Sequence, residues 1–525
     1  MKHLKSTVYG LSFLALLQST ASYAAPVQGC IKKPLPTAQA YSDGGYAWLI
    51  LGKFGTPADN SKKLNQSLIH IFENNVEISP AHSRHADIRS LGKGRFSHYS
   101  NVDGTGESIR LSASDNSNVK TNQKTYSYCI VDPSVQSGPG TTTKVPSVPL
   151  GTGAVFYVSP SGNDANPGTL AAPWKTLRKA ANTLTAGQTV YLRGGVYDAY
   201  FAINNSGTAT NRISFVAYNG EVPIIDGSSK KTDPNNAAVY ANNAININGS
   251  YVTLRGIEVR NSAATGIRVN GNYVAIDQVH SHNNYFAGVY FYMASYGSVT
   301  NSIIHDSYDY GVGGVGGGGN ADCLGSSASN TPTTVYGYHT FDNNLVYNCS
   351  DDGIDTWTSQ YNTIKHNIVH HVGYSNASNG GSVTTGLPAG NGHGYKLGKG
   401  GNNTVTNNIA YSNRVSGFDD NSGPANKLYN NTAFGNGVGF LFWTFPSAIL
   451  KNNLSYNNAN NITSGITQSN NSWNLSITDP LLISQNPSEP TFLMPSSGSP
   501  VIDKGVDVGM PYQGAAPDLG AFEQQ

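Results

Sequence analysis

Tyr429-Asn430-Asn431-Thr432-Ala433-Phe434-Gly435-Asn436 is answered further on by Lys451-Asn452-Asn453-Leu454-Ser455-Tyr456-Asn457-Asn458. The same phrase stands upstream as Thr406-Asn407-Asn408-Ile409-Ala410-Tyr411-Ser412-Asn413, and more faintly as Arg255-Gly256-Ile257-Glu258-Val259-Arg260-Asn261. Aligning the centres gives Ile257, Val279, Ile303, Leu345, Ile368, Ile409, Thr432 and Leu454, whose positions differ in turn by 22, 24, 42, 23, 41, 23 and 22. A period in the low twenties with strand chemistry is one coil of a stacked solenoid. The two long steps are coils that carry large loops. Leucine-rich repeats would need columns of Leu, which are missing. Asn261, Asn283, Asn413, Asn436 and Asn458 each follow a centre at the same offset, four places on. Asn tolerates left-handed backbone and its amides can stack between coils, so this column is predicted to be a turn. The fold class that follows is all-β, a right-handed parallel β-helix over residues 154–525.

Glycine marks a second column, at Gly266, Gly288, Gly353, Gly394, Gly417 and Gly439. The next residues, Ile267, Val289, Ile354, Tyr395, Phe418 and Phe440, are apolar and are predicted to point inward. Strand side chains alternate faces, so Arg268, Tyr290, Asp355, Lys396, Asp419 and Leu441 are predicted to point outward. Adjacent coils lie about 4.8 Å apart. Asp355, Lys396 and Asp419 should therefore stack on one exterior face. Pro173 is followed by Trp174, Leu177, Ala180, Ala181 and Leu184 at helical spacing, which predicts a helix capping the first coil. The segment through Pro500-Val501-Ile502-Asp503 is predicted to cap the other end.

Ahead of the solenoid, residues 25–131 carry short β-like runs, Ala47–Leu51 and Ser67–Phe72, and predict a small β-rich accessory domain. Arg84, His85, Arg95, His98 and Tyr99 give it a composition suited to an acidic glycan, against the plainer reading of a β-sandwich spacer. His82, His85 and His98 are metal candidates, but no fourth ligand suggests itself. Residues 132–153, rich in Pro, Ser, Gly and Thr, read as a flexible linker. Lys2 and Lys5, the apolar run Leu11–Leu17 and Ser22-Tyr23-Ala24 read as a signal peptide over 1–24, which predicts a secreted protein, extracellular or periplasmic. Val27-Gln28-Gly29-Cys30 is a poor lipoprotein box, since Gln28 does not suit it. No apolar run approaches the roughly 20 residues of a membrane span.

Charged residues are 12% of the chain and net charge is +1, without any Lys/Arg block, which argues against nucleic acid and anionic membranes as partners. A 10% aromatic share, including 31 Tyr, supplies core and argues against disorder. The four Cys fall by position into Cys30 with Cys129 and Cys323 with Cys349, though four Cys allow three pairings. No C-x-x-C spacing points to zinc. A monomer is expected.

The chemistry concentrates in Ser350-Asp351-Asp352-Gly353-Ile354-Asp355. Crowded carboxylates on a low-charge surface call for a cation, and calcium takes six to eight oxygens. Asp322, in Asn320-Ala321-Asp322-Cys323 on the preceding coil, falls below Asp352 if Cys323 matches Gly353. Solvated turn residues are the plainer reading of the cluster. Lys396, in Gly394-Tyr395-Lys396-Leu397-Gly398, follows a long loop one coil above Asp355. A lone lysine is more often an ion-pair partner, here of Asp355 or Asp419. A neighbouring divalent cation would lower its pKa and favour the neutral amine that a base needs. Calcium, carboxylates and a lysine base together suit β-elimination on a uronic-acid polymer. The carboxylates alone also allow a glycoside hydrolase, and a non-catalytic glycan-binding solenoid is the third alternative.

The stretch from Asp322 to Asn421 resembles the family-nine polysaccharide lyases of pectate lyase type. The resemblance rests on Asn320-Ala321-Asp322, Asp351-Asp352-Gly353-Ile354-Asp355, Gly394-Tyr395-Lys396-Leu397-Gly398 and Gly417-Phe418-Asp419. Phe156 to Gly162 and Val190 to Gly195 resemble the same enzymes, so the likeness spans about residues 155–450. It implies that Asp322, Asp351, Asp352 and Asp355 hold a catalytic Ca2+ and that Lys396 is the base. Two features depart from the family pattern, the glycine-rich Gly311–Asn320 loop and His393. No role is assigned to Asp419, Asp420 or His393, nor is the polymer or the endo or exo mode fixed.

Overall fold

The structure is a computed structural model. It describes residues 33–524 except 55–57, 62–66, 68, 75, 79–82, 131–144, 220, 231–241, 310–317, 329–333, 376–386, 389, 443–446, 460, 462, 464, 488 and 490. The signal peptide, the lipoprotein box and Cys30 lie outside the described residues, as does His82.

From Val155 onward the chain winds into a right-handed parallel β-helix. Three parallel sheets, of twelve, ten and nine strands, run the length of the solenoid, and each coil adds a strand to each. The inward residues form one continuous core from Val158 to Leu450. The glycine column behaves as its sequence implies. Ile267, Val289, Ile354, Tyr395, Phe418 and Phe440 are each fully buried and in register on the nine-stranded sheet. Tyr395, Phe418 and Phe440 stack at 4.7 and 4.9 Å, worth about 0.5–1.5 kcal/mol per pair beyond area burial. The Tyr395 hydroxyl stays satisfied by donating to the Asn367 carbonyl at 2.8 Å. At Gly353 a Cβ would meet Val369 Cγ1 at 2.2 Å, so the column needs glycine to let the coil turn this tightly.

Buried asparagines bind the turns. Asn344, Asn367, Asn408, Asn431, Asn453 and Asn471 form a ladder in which each side-chain oxygen accepts from the residue below. Asn413, Asn436 and Asn458 form a second ladder. Asn261 and Asn283 do not join it. Glu258 and His280, rather than Ile257 and Val279, are in register with Ile303. The two Asn are the positive-φ residues one place earlier, at φ 55° each. The uneven step from Val279 to Ile303 came from this slip, because the true partner of Ile303 is His280.

The helix Leu177–Thr183 closes the first coil. Its N-cap Thr176 accepts from the Lys179 N–H, and Trp174, Leu177, Ala180, Ala181 and Leu184 are all buried. At the other end Trp473 packs on Phe440 at 5.0 Å. The C-terminal segment does something other than cap. Phe492, Leu493 and Ala521 bury Leu345, Ile368, Ile409 and Tyr411, and Val501 and Leu519 bury Leu454. These are outward residues of the ten-stranded sheet. The tail straps the flank of the solenoid, which is why an outward column there is apolar.

The N-terminal region has two four-stranded antiparallel sheets around a small core that includes Ile50, Ile71, Phe96, Ile109 and Leu111. The anticipated runs appear as strands Trp48–Leu51 and Ile69–Glu73. The linker is not free along its whole length. Val145 exchanges hydrogen bonds with the Asn301 side chain at 3.0 Å in both directions, Ser147 donates to Asp277, and Arg255 donates to the Val148 carbonyl. Polar side chains on the twelve-stranded sheet thus hold residues 145–148. Cys323 and Cys349 form a disulfide, and Cys129 is disulfide-bonded as well.

Candidate active site

Register on the nine-stranded sheet assembles the site. Gly325, Asp355, Lys396, Asp419 and Leu441 are successive neighbours across strands Leu324–Ser327, Ile354–Asp355, His393–Lys396, Ser416–Asp420 and Val438–Phe442. Asp322 also falls where its spacing places it, because Cys323 pairs with Gly353: the Cys323 N–H donates to the Asp352 carbonyl at 3.0 Å. The Cys323–Cys349 bridge ties together the two coils that carry the aspartates. The column faces outward from the core yet is sheltered. Lys396 is 7% exposed, Asp355 5%, Asp322 6% and Asp352 0%.

Lys396 Nζ lies 2.7 Å from Asp352 Oδ2 and 3.0 Å from Asp355 Oδ2. Burial disfavours its charge, but Asp352, Asp355, Asp322 and Asp351 outweigh that and hold its pKa well above the usual lysine range. Asp352 keeps a lowered pKa against burial, through Lys396, His393 and the His393 backbone N–H at 2.8 Å. Asp322 is pushed well up by burial and by Asp355, Asp351 and Asp352. Burial and Asp352 lift Asp351 to about 8, and burial raises Asp355 as well. The site therefore carries more carboxylate than its one lysine can balance.

Asp322, Asp352 and Asp355 each turn a carboxylate oxygen into one group whose members lie within 4.8 Å of one another. Asp322 Oδ1 is buried without any hydrogen-bond partner among the described residues. Clustered hard oxygens, an orphaned carboxylate oxygen and raised pKa values fit a divalent cation of the calcium type. Asp351 adjoins this group without entering it, since its Oδ1 accepts the Asn391 N–H at 2.5 Å.

Asp419 sits above Lys396 with Oδ2 buried and unbonded among the described residues; burial and Asp352 raise its pKa to about 8. Asp420 instead accepts from Asn426 at 2.8 Å and from the Gly423 N–H at 2.7 Å, which makes it a loop anchor. The His393 ring pairs with Ser416 Oγ at 2.8 Å, and burial lowers its pKa. Trp357 escaped the sequence reading. Its ring lies 5.6 Å from Lys396 Nζ and 5.2 Å from Lys399 Nζ, in space that Gly398 leaves open, and no periodic signal marks it. Asn391, which reaches both Asp351 and Asp352, was missed because it lies on a loop. Of the N-terminal histidine candidates that are described, His98 pairs with Ser67 and Glu107, and His85 faces Arg110. A second group, Glu258, His280 and His282, sits on the ten-stranded sheet, where Arg260 already neutralises Glu258 at 3.0 Å.

The family model for the Pel9A-like right-handed β-helix region matches residues 156–471. The chain belongs to that family. It is a polysaccharide lyase of the Pel9A-like, family-nine type. Pectate lyase L of Paenibacillus polymyxa is 31% identical over 339 residues, 61% of this chain and 72% of that one. Pectate lyase PEL9 of Emericella nidulans is 31% identical over 345 residues, 59% of this chain and 80% of that one. Among solved structures, pectate lyase Pel9A superposes with a TM-score of 0.60 at 24% identity, covering 75% of this chain and all of that one. A rhamnogalacturonan lyase superposes at 0.54 and 22% identity, covering 66% and 97%. The Pel9A-like region thus includes every candidate residue from Asp322 to Asp420. Among the described residues no helix is long and apolar enough to cross a membrane.

Proposed function

We propose that this Pel9A-like lyase is a calcium-dependent pectate lyase that cleaves polygalacturonate by β-elimination, with Lys396 as the base. The observation that carries the reading is the contact of Lys396 Nζ with Asp352 and Asp355 at the edge of the three-carboxylate group. Asp322, Asp352 and Asp355 would hold the ion, with Asp351 beside them. Bound calcium would neutralise the uronate carboxylate and so acidify the adjacent C5 proton. A dication held by Asp352 and Asp355 would offset the field that keeps Lys396 charged, lowering its pKa and favouring the neutral amine. Lys396 then takes the C5 proton, and the electron pair left on C5 forms the double bond to C4 as the C4–oxygen bond breaks. The Trp357 ring beside the amine helps keep water from it. The carboxylate oxygens of the group crowd within 4.8 Å of one another, which suits one shared ion, whereas hydrolysis needs an acid and a base or nucleophile set on either side of the bond.

Export through the N-terminal segment, action as a monomer and a glycan-binding role for the N-terminal region complete the proposal. The test is the ultraviolet absorbance of an unsaturated uronate product from polygalacturonate, with and without chelator. Asp352→Ala should lose calcium binding and activity while keeping its fold, because the core rests on inward residues such as Ile354 and Leu397. Full activity in chelator would end the calcium assignment, and absence of the unsaturated product on any uronan would end the lyase assignment.

A further inference from the structure

The column through Lys396, Asp355 and Gly325 continues toward the N-terminal end of the solenoid as Tyr290, Arg268 and Asn246. Arg268 is largely buried there. Its guanidinium lies 4.3 Å from the centre of the Tyr292 ring and 5.3 Å from that of Tyr290. Tyr290 is itself fixed, since its hydroxyl donates to Ser327 Oγ at 2.9 Å. Its ring fills the gap at Gly325, where a Cβ would come within 2.4 Å of it.

The guanidinium has aromatic faces for walls and, among the described residues, no anion. Among the described residues no carboxylate or carbonyl oxygen lies within hydrogen-bond reach of it, and burial lowers its pKa without a carboxylate to offset the loss. Other shielded arginines of the solenoid are bonded. Arg255 pairs with Asp277, and Arg260 with Asp226 and Glu258. Arg212 donates to the Val252 carbonyl, and Arg414 to that of Gly373. Leaving a guanidinium desolvated and unpaired is costly, and those other arginines are each given a partner where this one has none among the described residues. Arg268 stands three coils from Asp355, about 14 Å along the axis at the spacing of paired strands. That is further than one sugar ring spans.

We propose that Arg268 is a subsite for a carboxylate of the polymer, on a saccharide unit removed from the one at Lys396. The planar fork matches a carboxylate with two parallel hydrogen bonds, and Tyr290 and Tyr292 hold it in place for that. This rests on the lyase reading and adds to it: the enzyme reads charge on the chain beyond the bond it breaks, and a methyl-esterified unit at this position binds poorly. Arg268 is a binding residue and takes no part in proton transfer.

The experiment compares full-length wild type, Arg268→Gln and Arg268→Lys on polygalacturonate and on its fully methyl-esterified form. Binding is measured by calorimetry with Lys396→Arg in the background to prevent turnover, and kinetics without it. Loss of a charged hydrogen-bonded contact should weaken polygalacturonate binding by roughly tenfold or more in Arg268→Gln, with Arg268→Lys in between. Binding of the methyl-esterified form should not change. KM should rise by a similar factor, with kcat within about threefold of wild type. Unchanged affinity for polygalacturonate in both variants overturns the subsite, as does an equal loss on the esterified polymer. The lyase reading fails separately, by absence of unsaturated product from wild type, and the calorimetric comparison then decides Arg268 by itself.

Discussion

Replacing Lys396 by methionine removes a charge but keeps most of the bulk, and it separates two roles that the site combines. Nζ sits 2.7 and 3.0 Å from Asp352 and Asp355, two of the three carboxylates that would hold a cation. Two unit charges about 4 Å apart interact by about 4 kcal/mol at an effective dielectric of 20, and a dication meets the ammonium with twice the charge. Protonation of carboxyls with raised pKa, Asp351 and Asp322 above all, recovers the larger part of that in the unloaded variant. We expect a remainder of about 1.4–2.8 kcal/mol, a ten- to hundredfold tighter calcium Kd. Turnover should fall by roughly 10²–10⁴-fold, the usual worth of a general base. Calorimetric calcium titration of chelator-treated protein measures the first and ultraviolet absorbance on polygalacturonate the second. Lys396→Arg should be as inactive, since guanidinium does not release its proton, but should show wild-type calcium affinity. Weaker calcium binding in Lys396→Met would refute the sharing of Asp352 and Asp355 between lysine and ion. Substantial turnover in either variant would make the lysine a substrate clamp and direct attention to His393 and Lys399.

Asp351 and Asp419 titrate near 8 in the folded state against an ordinary value of 3.8, so the folded chain binds more protons between those limits. Stability without calcium should therefore fall as pH rises from about 4 to 8. Lys396, raised, stays charged in that window and adds no slope. A melting series in chelator checks this, and the gain in Tm from added calcium should grow with pH. Activity should also rise toward alkaline pH as the neutral fraction of Lys396 grows, which a rate profile at saturating calcium measures. Asn408→Ala should cost about 3–5 kcal/mol in urea unfolding, because it strands the Asn367 N–H and side-chain amide along with the Ile364 carbonyl in a dry ladder. Deleting residues 25–131 while keeping 145–153 should leave turnover on soluble oligomers intact and weaken adsorption to insoluble polymer; loss of turnover would place that region in the cleft.

Much of the site was legible because strand parity and coil period act locally. Once Gly353, Gly394 and Gly417 were aligned, Asp355, Lys396 and Asp419 had to stack, and they do. The reading failed where side chains answer to something outside the coil. Ile257 and Val279 were aligned in place of Glu258 and His280 because the outward column changes character along its length. It is polar at Glu258 and His280, where the tail does not reach, and apolar apart from Thr432 from Leu345 to Leu454, where it does. Trp357 and Asn391 act on the site from turns and loops, whose conformations carry no period. Arg268 was visible as an outward residue, but its lack of an anion is a property of the assembled face.

The strap on the ten-stranded sheet has a consequence for how the chain is made. Leu345 emerges from the ribosome long before Phe492, which lies in the segment that covers it. The coils can wind as they emerge, since each needs only its neighbour. Their outer flank nevertheless stays open, with a greasy row on its surface, until the stretch from Phe492 to Ala521 has been synthesised. A premature stop or a proteolytic nick just ahead of Phe492 would leave the catalytic face fully formed on a particle that sticks to its own kind. Residues translated well after the catalytic coils thus act as the solubility checkpoint of the whole solenoid.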